Sequence, residues 1–159
     1  MAKAEVSVVV PYYDGDRFIT RAIRSIQNQS CRPLEIIVVD DGSHAGHEYT
    51  GAETLGEGGV PVRVVRDGEN RGIAAARNSG IRAARGRWIA CLDQDDEWVP
   101  WKLEHQLRML AQLGEGYGVF GSVRAPWGVS PSGLQLAAVR RVQRPRELAE
   151  ALLRWGNFV

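Results

Sequence analysis

The stretch LEIIVVDDGS, residues 34–43, gives the clearest indication of the fold. Its apolar part is continuous and rich in β-branched residues, and it runs directly into Asp-Asp-Gly-Ser, which is a turn signal. A short apolar run that is bounded by a turn is typical of a strand buried on both faces. Such strands occur in parallel sheets whose two faces are covered by helices. The stretch therefore predicts a parallel sheet within an α/β fold.

Strand and helix patterns alternate on both sides of this stretch. Further strands are predicted at VSVVVPYY (6–13), VRVVRD (62–67), RWIACLD (87–93) and YGVFGSV (117–123). Helices are predicted at 16–29, 70–86, 99–114 and 145–155, with a short one around 48–55. The first helix is expected to bury Phe18 with its isoleucines, and Gly86 is expected to end the second. This alternation predicts an open, mainly parallel sheet with helices on both faces.

The composition excludes several classes of protein. The chain has 159 residues, 44% of them hydrophobic, which suits one domain with a core of its own. A formal net charge of +1 gives no general affinity for polyanions, so no nucleic-acid partner is expected. Cys31 and Cys91 offer neither a disulfide framework nor the spacing of a zinc site. The first residues show no signal peptide and no membrane span, so we expect a cytoplasmic location.

Acidic residues follow three of the predicted strands. The first strand runs into PYYDGD with Asp14, the second into VDDGS with Asp41, and the fourth into LDQDDEW with Asp93 and Asp95. Because the carboxyl ends of parallel strands meet at one edge, these acids are expected to share the rim where ligands of such sheets bind. A single acidic turn would best be read as solvated. Three acidic turns at one rim favour a site for a cation and a polar, hydroxyl-rich ligand.

The turn with Asp93 and Asp95 is the expected metal site. The two residues alternate along an extended chain, so both side chains can leave on the same side. Carboxylate oxygens on a short turn suit Mg²⁺ or Mn²⁺. Such ions take one or two carboxylates and complete their shell with water and substrate phosphate. A bound nucleoside diphosphate would supply those phosphate oxygens.

Three stretches together resemble the nucleotide-sugar-binding N-terminal half of a family 2 glycosyltransferase with the GT-A fold. They are VSVVVPYYDGDRFITRAIRSIQNQS, LEIIVVDDGS and ENRGIAAARNSGIRAARGRWIACLDQDDEWVPWKLEHQL, and they fall within about residues 5–121. The resemblance implies a nucleotide-sugar-binding core over residues 1–124. It also implies that residues 125–159 begin an acceptor-side region.

The resemblance implies roles for single residues as well. Pro11 and Tyr13 line the base pocket, where an aromatic ring can stack on a pyrimidine. Asp41 accepts a hydrogen bond from the base. Asp93 lies near the ribose or the metal ion, and Asp95 is the direct metal ligand.

Five more donor-binding candidates follow from the same resemblance. Asp96 and Trp98 extend the Asp-x-Asp motif toward the sugar. Arg71 and Arg77 help to hold the base or the phosphates, although both also fit as solvated arginines of a helix. Asp14 is the last candidate, at a position where the family often has Asn.

The implied activity is transfer of a sugar from a nucleoside-diphosphate sugar, UDP-linked, to an unknown acceptor that is a saccharide, a lipid or a protein. Transfer would be a metal-assisted inverting displacement in which a carboxylate takes the proton of the acceptor hydroxyl. In the family the proton-accepting Asp lies well after Asp-x-Asp. The only acids after Glu97 in this chain are Glu104, Glu115, Glu147 and Glu150. No catalytic base is identified, so we expect either a fragment or truncated product that stops before the acceptor-binding half, or a chain that another chain completes. Donor binding is expected of this chain, whereas turnover by this chain alone is not.

Two other functions stay open at this point. A non-catalytic fragment that binds a nucleotide sugar would fit the missing base. A sugar nucleotidyltransferase would need a Gly-rich loop with Lys or Arg after the first strand, and YYDGDRF has little of that character. Apolar surface left by a missing half would favour a homodimer.

Overall fold

The computed structural model describes residues 5–47, 49 and 59–113. The elements in this part are β1 Val6–Tyr12, α1 Asp16–Gln27, β2 Glu35–Asp41, β3 Val62–Asp67, α2 Ile73–Ala83, β4 Trp88–Cys91 and α3 Lys102–Leu113. They confirm the predicted alternation of strands and helices. The helices predicted around 48–55 and at 145–155, the strand predicted at 117–123 and the domain boundary at 124 lie outside the described residues.

The described strands form one parallel sheet in the order β3-β2-β1-β4. The chain moves outward from β1 through β2 to β3, and then returns across the sheet so that β4 pairs with the other side of β1. The crossovers through α1 and α2 run in opposite directions across the sheet, and right-handed crossovers, the rule for parallel strands, put such helices on opposite faces. The point of reversal lies between β1 and β4, and sheets of this type bind their ligands at that point.

Close packing of α2 on the sheet explains one glycine. Val9, Ile37 and Val39 form a buried cluster with Ala76 of α2. A Cβ atom at Gly80 would lie only 2.3 Å from Val9 Cγ1, so glycine lets the backbone of α2 approach the strands. Helix α1 has its own apolar stripe, in which Ile19, Ala22, Ile23 and Ile26 are buried.

Two details of the helices differ from the sequence-based expectation. Phe18 is 36% exposed instead of buried, and the guanidinium groups of Arg17 and Arg21 lie over its ring. Helix α2 ends at Ala83, before Gly86. A Cβ atom at Gly86 would lie 2.5 Å from the backbone nitrogen of Ser7, so this glycine allows a close approach to β1 rather than ending the helix.

The described residues up to Glu104 belong to one compact unit, Met1–Glu104, which contains all four described strands. A second unit, His105–Val159, is described only for residues 105–113, which continue α3. Within the described ranges, no helix combines the length and the apolar character needed to cross a membrane.

Candidate functional site

A cleft of about 390 Å³ opens at the carboxyl ends of β1 and β4, where the direction of the chain reverses. Residues from the ends of three strands and from the start of α2 line it: Pro11, Tyr12, Tyr13, Asp41, Asn70, Gly72, Ile73, Ala76, Asp93, Gln94 and Asp95. Acids of two of the three predicted turns, Asp41 and Asp93 with Asp95, therefore meet an aromatic ring at one rim, whereas Asp14 of the first turn does not line the cleft.

Asp41 fixes the wall of the cleft that α2 provides. Its carboxylate accepts hydrogen bonds from the backbone N–H groups of Arg71 at 3.0 Å and Gly72 at 2.8 Å. Gly72 has a φ of 86°, a left-handed conformation that favours glycine. Each carboxylate oxygen can accept a second hydrogen bond, so Asp41 keeps the capacity to bind an N–H group of a ligand.

Asp93 carries a positive partner within the fold. Arg77 Nη2 lies 2.6 Å from Asp93 Oδ1, and both side chains are partly buried. Arg77 Nε is buried and has no hydrogen-bond partner among the described residues. The predicted role of Arg77 at a phosphate remains a prediction, but the structure gives this arginine a definite place beside the acidic turn. Arg71 instead pairs with Asp67 at 2.8 Å, and its side chain is not among those that line the cleft.

Asp95 differs from both neighbouring carboxylates of the cleft. It is exposed, lines the cleft, and makes no hydrogen bond or ion pair with any residue in the described part of the chain. Its oxygens are therefore available to a ligand without loss of an internal contact.

The aromatic side of the cleft comes from the end of β1. Pro11 is buried and Tyr13 is 36% exposed, and both line the cleft. The ring of Tyr13 lies 5.8 Å from the ring of His44, tilted by 54°. The arrangement leaves part of the Tyr13 ring accessible at the rim.

Five of the predicted donor-binding residues are not among those that line the cleft: Arg71 and Arg77, described above, and Asp14, Asp96 and Trp98. Asp14 pairs with His44, whose Nδ1 lies 2.6 Å from Asp14 Oδ2. The backbone N–H of Asp96 bonds the carbonyl oxygen of Asp93 and closes the acidic turn. Trp98 packs under Lys102, whose Nζ lies 3.7 Å from the ring centroid. Burial lowers the pKa of Lys102 to about 8.

The turn after β1 is held by histidines from the loop after β2. His44 bonds Asp14, and this hydrogen bond holds the pKa of Asp14 below its ordinary value. Asp16 accepts a hydrogen bond from buried Tyr12 and pairs with His47, and these contacts lower the pKa of Asp16. Burial and the neighbouring Asp16 raise the pKa of Tyr12. The histidines of HAGH therefore act as partners of the two aspartates that flank Gly15.

Sequence reasoning missed the contribution of α2 to the cleft. Asn70, Gly72, Ile73 and Ala76 line it, and Asn70 Oδ1 also accepts a hydrogen bond from the backbone of Gly72. The signal was present in the sequence, because Asn-Arg-Gly follows a predicted strand and precedes a helix. The Asp-x-Asp pattern leaves its middle residue unspecified, although the side chain of Gln94 also lines the cleft.

The described elements define an α/β protein with a parallel sheet and a cleft at its point of reversal, which is the place where sheets of this type bind their ligands. The sequence matches the family described as Glycosyl transferase family 2 over residues 7–156. That match covers more than half of the chain, so the chain belongs to the family 2 glycosyltransferases.

Named relatives and solved structures agree with this assignment. One relative from Escherichia coli, the UDP-Glc:alpha-D-GlcNAc-diphosphoundecaprenol beta-1,3-glucosyltransferase WfgD, is 33% identical over 66% of this chain and 40% of its own length. S. aureus TarS 1-349 in complex with UDP-GlcNAc is 25% identical, with a TM-score of 0.60 over 70% of this chain and 32% of that one.

A third similar protein is archaeal. The mannosyltransferase PcManGT from Pyrobaculum calidifontis, in complex with GDP-Man and Mn²⁺, is 25% identical. Its TM-score is 0.63 over 80% of this chain and 38% of that one. The chain spans about half or less of the length of the curated relatives it matches. The predicted GT-A fold with an open parallel sheet is confirmed.

Proposed function

We propose that the cleft binds the nucleoside diphosphate of a sugar donor, a UDP-sugar, together with Mn²⁺ or Mg²⁺. The chain would thereby supply the donor-binding part of a glycosyltransferase. The observation that carries this proposal is Asp95, an exposed carboxylate without an internal partner in the described part of the chain, at the rim of a switch-point cleft.

The acidic turn fits a magnesium-type ion better than a zinc-type one. Among the residues that the structure describes, no three His, Cys, Asp or Glu side chains are grouped as metal ligands. Mg²⁺ and Mn²⁺ do not need such a group, because water and substrate phosphates fill most of their shell. Asp95 and Asp93 would hold the ion, and Arg77 adds a positive charge beside Asp93. When bound, the ion would supply charge stabilisation for the diphosphate as it leaves.

The nucleoside would occupy the opposite side of the cleft. The accessible ring of Tyr13 suits stacking on a base, and Asp41 can accept one more hydrogen bond from a base N–H group. The TarS complex with UDP-GlcNAc and the UDP-Glc named for WfgD support uridine as the nucleoside. GDP-Man in PcManGT makes guanosine the natural competitor in a binding test.

Transfer would follow the inverting displacement that the family resemblance implies. The hydroxyl of an acceptor, which is a saccharide, a lipid or a protein, attacks the sugar carbon from the face opposite the diphosphate. The bond from that carbon to the diphosphate oxygen breaks, and a carboxylate takes the proton of the hydroxyl. The residues of this chain would bind and orient the donor.

A second candidate function is donor binding without turnover. Among the described acids that line the cleft, Asp41 holds two backbone N–H groups and Asp93 pairs with Arg77. If Asp95 binds the ion, none of these acids is left to act as a base. A sugar nucleotidyltransferase fits less well, because Asp14 and Asp16 at the start of α1 would repel a triphosphate.

Calorimetric titration of the chain with UDP tests the binding claim. We expect UDP to bind with Mn²⁺ present, to bind at least about tenfold more weakly after chelation, and to bind more tightly than GDP. Equal affinity before and after chelation would remove the metal from the proposal. Release of UDP from UDP-glucose, with and without an added saccharide acceptor, then distinguishes a transferase from a protein that only binds the donor.

A further inference from the structure

Gln94 extends the contact between β1 and β4 beyond the end of the backbone ladder. The last ladder contact is the hydrogen bond from the Leu92 N–H group to the carbonyl oxygen of Val9, at 3.0 Å. Beyond it the strands part and the cleft begins. Gln94 Oε1 accepts a hydrogen bond from the backbone N–H group of Tyr13 at 2.9 Å. Gln94 Nε2 donates a hydrogen bond to the backbone carbonyl oxygen of Tyr13 at 3.2 Å. One side chain therefore pairs with both backbone groups of Tyr13, as a strand would.

Gly15 makes room for this carboxamide. A Cβ atom at position 15 would lie 2.3 Å from Gln94 Oε1 and 2.5 Å from the carbon of the same amide group. The φ of Gly15 is −101°, which any residue can adopt, so backbone conformation does not require glycine here. The need for glycine at this position comes from the space that the Gln94 side chain occupies.

The position of Gln94 joins the two halves of the proposed donor site. In sequence it stands between Asp93 and Asp95, which would hold the ion and the diphosphate. Through its carboxamide it holds Tyr13, whose ring would hold the base. A single side chain thus bridges β1 and the acidic turn, between the ring proposed to hold the base and the acids proposed to hold the ion.

We propose that Gln94 is a positioning residue that sets the register between the base-binding ring of Tyr13 and the ion-binding turn. The inference rests on the proposed function. An amide is required at this place because Tyr13 offers one donor and one acceptor. Glutamate would face the Tyr13 carbonyl oxygen with a second acceptor, and alanine would make neither bond.

The chain offers a matched control for this amide. The carboxamide of Gln27 also pairs with both backbone groups of one residue. Gln27 Oε1 accepts a hydrogen bond from the N–H group of Val60 at 2.6 Å, and Gln27 Nε2 donates one to the Val60 carbonyl oxygen at 2.8 Å. Neither Gln27 nor Val60 lines the cleft. Gln27→Ala thus removes the same kind of contact without touching the proposed site.

The experiment is calorimetric titration of UDP, with Mn²⁺ present, into the chain and its variants. We expect Gln94→Ala to weaken binding about tenfold and Gln27→Ala to leave the affinity within about twofold, although both variants lower the melting temperature. In a Tyr13→Ala background, which keeps the backbone groups but removes the ring, Gln94→Ala is expected to change the affinity by less than about twofold.

Three outcomes decide the inference. Unchanged UDP affinity in Gln94→Ala would overturn it. A similar loss in the wild-type and Tyr13→Ala backgrounds would also overturn it, because Gln94 would then not act through the ring. If the wild-type chain itself takes up no UDP with Mn²⁺, the proposed function fails and the inference fails with it. The two failures can be told apart. If the wild-type chain binds UDP and Gln94→Ala binds it equally well, the inference alone fails and the proposed function stands.

Discussion

Two Asp-x-Asp tripeptides lie at the ends of adjacent strands, and the fold uses them in different ways. Asp14-Gly15-Asp16 follows β1, and each of its aspartates pairs with a histidine of the loop after β2. Asp93-Gln94-Asp95 follows β4. In this second tripeptide Asp93 pairs with Arg77, and Asp95 has no partner among the described residues.

The difference shows that partners, rather than composition, indicate which acidic turn can bind an ion. A carboxylate paired with a cationic side chain already has part of its charge and some of its lone pairs engaged, whereas an unpaired carboxylate loses only its hydration when it binds a cation. The first tripeptide secures a loop, and the second presents a carboxylate to the cleft. The two meet where Gly15 leaves space for Gln94.

The largest expected effect comes from neutralising one aspartate in each of the two turns and comparing the losses of UDP affinity. Asp95→Asn should weaken UDP binding in the presence of Mn²⁺ about tenfold or more, since even outer partners of metal ligands are worth roughly tenfold. Asp16→Asn should change the same affinity by less than about threefold, because Asp16 does not line the cleft. Titration calorimetry measures both. A greater loss in Asp16→Asn would reverse the assignment of the two turns.

A second prediction concerns the structural side of the comparison. Tyr12 is buried, and its hydroxyl lies 2.6 Å from both Asp16 Oδ1 and the carbonyl oxygen of His47. Tyr12→Phe removes this hydroxyl and should lower the free energy of unfolding by about 1–3 kcal/mol, because the fold loses a hydrogen bond to a charged acceptor. Urea denaturation measures the loss. The corresponding change on an exposed ring, Tyr13→Phe, should leave the stability nearly unchanged.

Much of the fold follows from the sequence because continuous β-branched runs have few alternatives. The runs ending at Tyr12 and Asp41 are buried along their whole length, as the pattern predicts. The role of Gly86 could not be predicted in the same way. It depends on how closely the chain before β4 approaches Ser7, and a local sequence pattern does not predict the distance between two separate segments.

A third prediction concerns the pH dependence of the stability that the aspartates of the first turn contribute. Hydrogen bonds lower the pKa values of Asp14 and Asp16 below their ordinary value of 3.8. Because the pKa of each carboxyl group is lower in the folded chain than in the unfolded chain, its contacts stabilise the fold at a pH above the unfolded-state pKa. This stability is lost as the pH falls through the folded-state pKa. The double variant Asp14→Asn and Asp16→Asn removes both carboxylate charges. Asn tolerates the positive φ of residue 14, so this variant does not strain the backbone there.

Urea denaturation across a pH series checks this expectation. The combined variant should be less stable than the wild type near neutral pH, and the difference should shrink as the pH falls below about 4. A difference that stays constant down to the acid transition would show that these contacts do not stabilise the folded chain through their charge.

The smallest effect is expected from an acid just outside the cleft. Glu97 lies two residues after Asp95 and forms an exposed ion pair with Arg21 at 3.5 Å. Glu97→Gln should change stability by no more than about 0.5 kcal/mol, because exposed pairs contribute little. The UDP affinity should also stay unchanged. A marked loss of affinity in this variant would mean that the acidic turn acts by its total charge rather than through Asp95.

The candidate site was only partly predictable, and the reason is geometric. Strand ends identify Asp41, Asp93 and Asp95 as rim residues because parallel strands must bring them together. The partners of those residues depend on loops that the pattern does not position. Arg77 is one turn into α2, and His44 comes from a loop that periodicity does not describe, yet each decides whether a nearby aspartate is paired.

Binding of Mn²⁺ itself, followed by electron paramagnetic resonance of the free ion, tests the central claim most directly. We expect that addition of UDP to the chain removes free Mn²⁺ from solution beyond what UDP alone removes. This extra uptake should disappear in Asp95→Asn and persist in Asp16→Asn. Equal uptake by the wild type and Asp95→Asn would contradict the account.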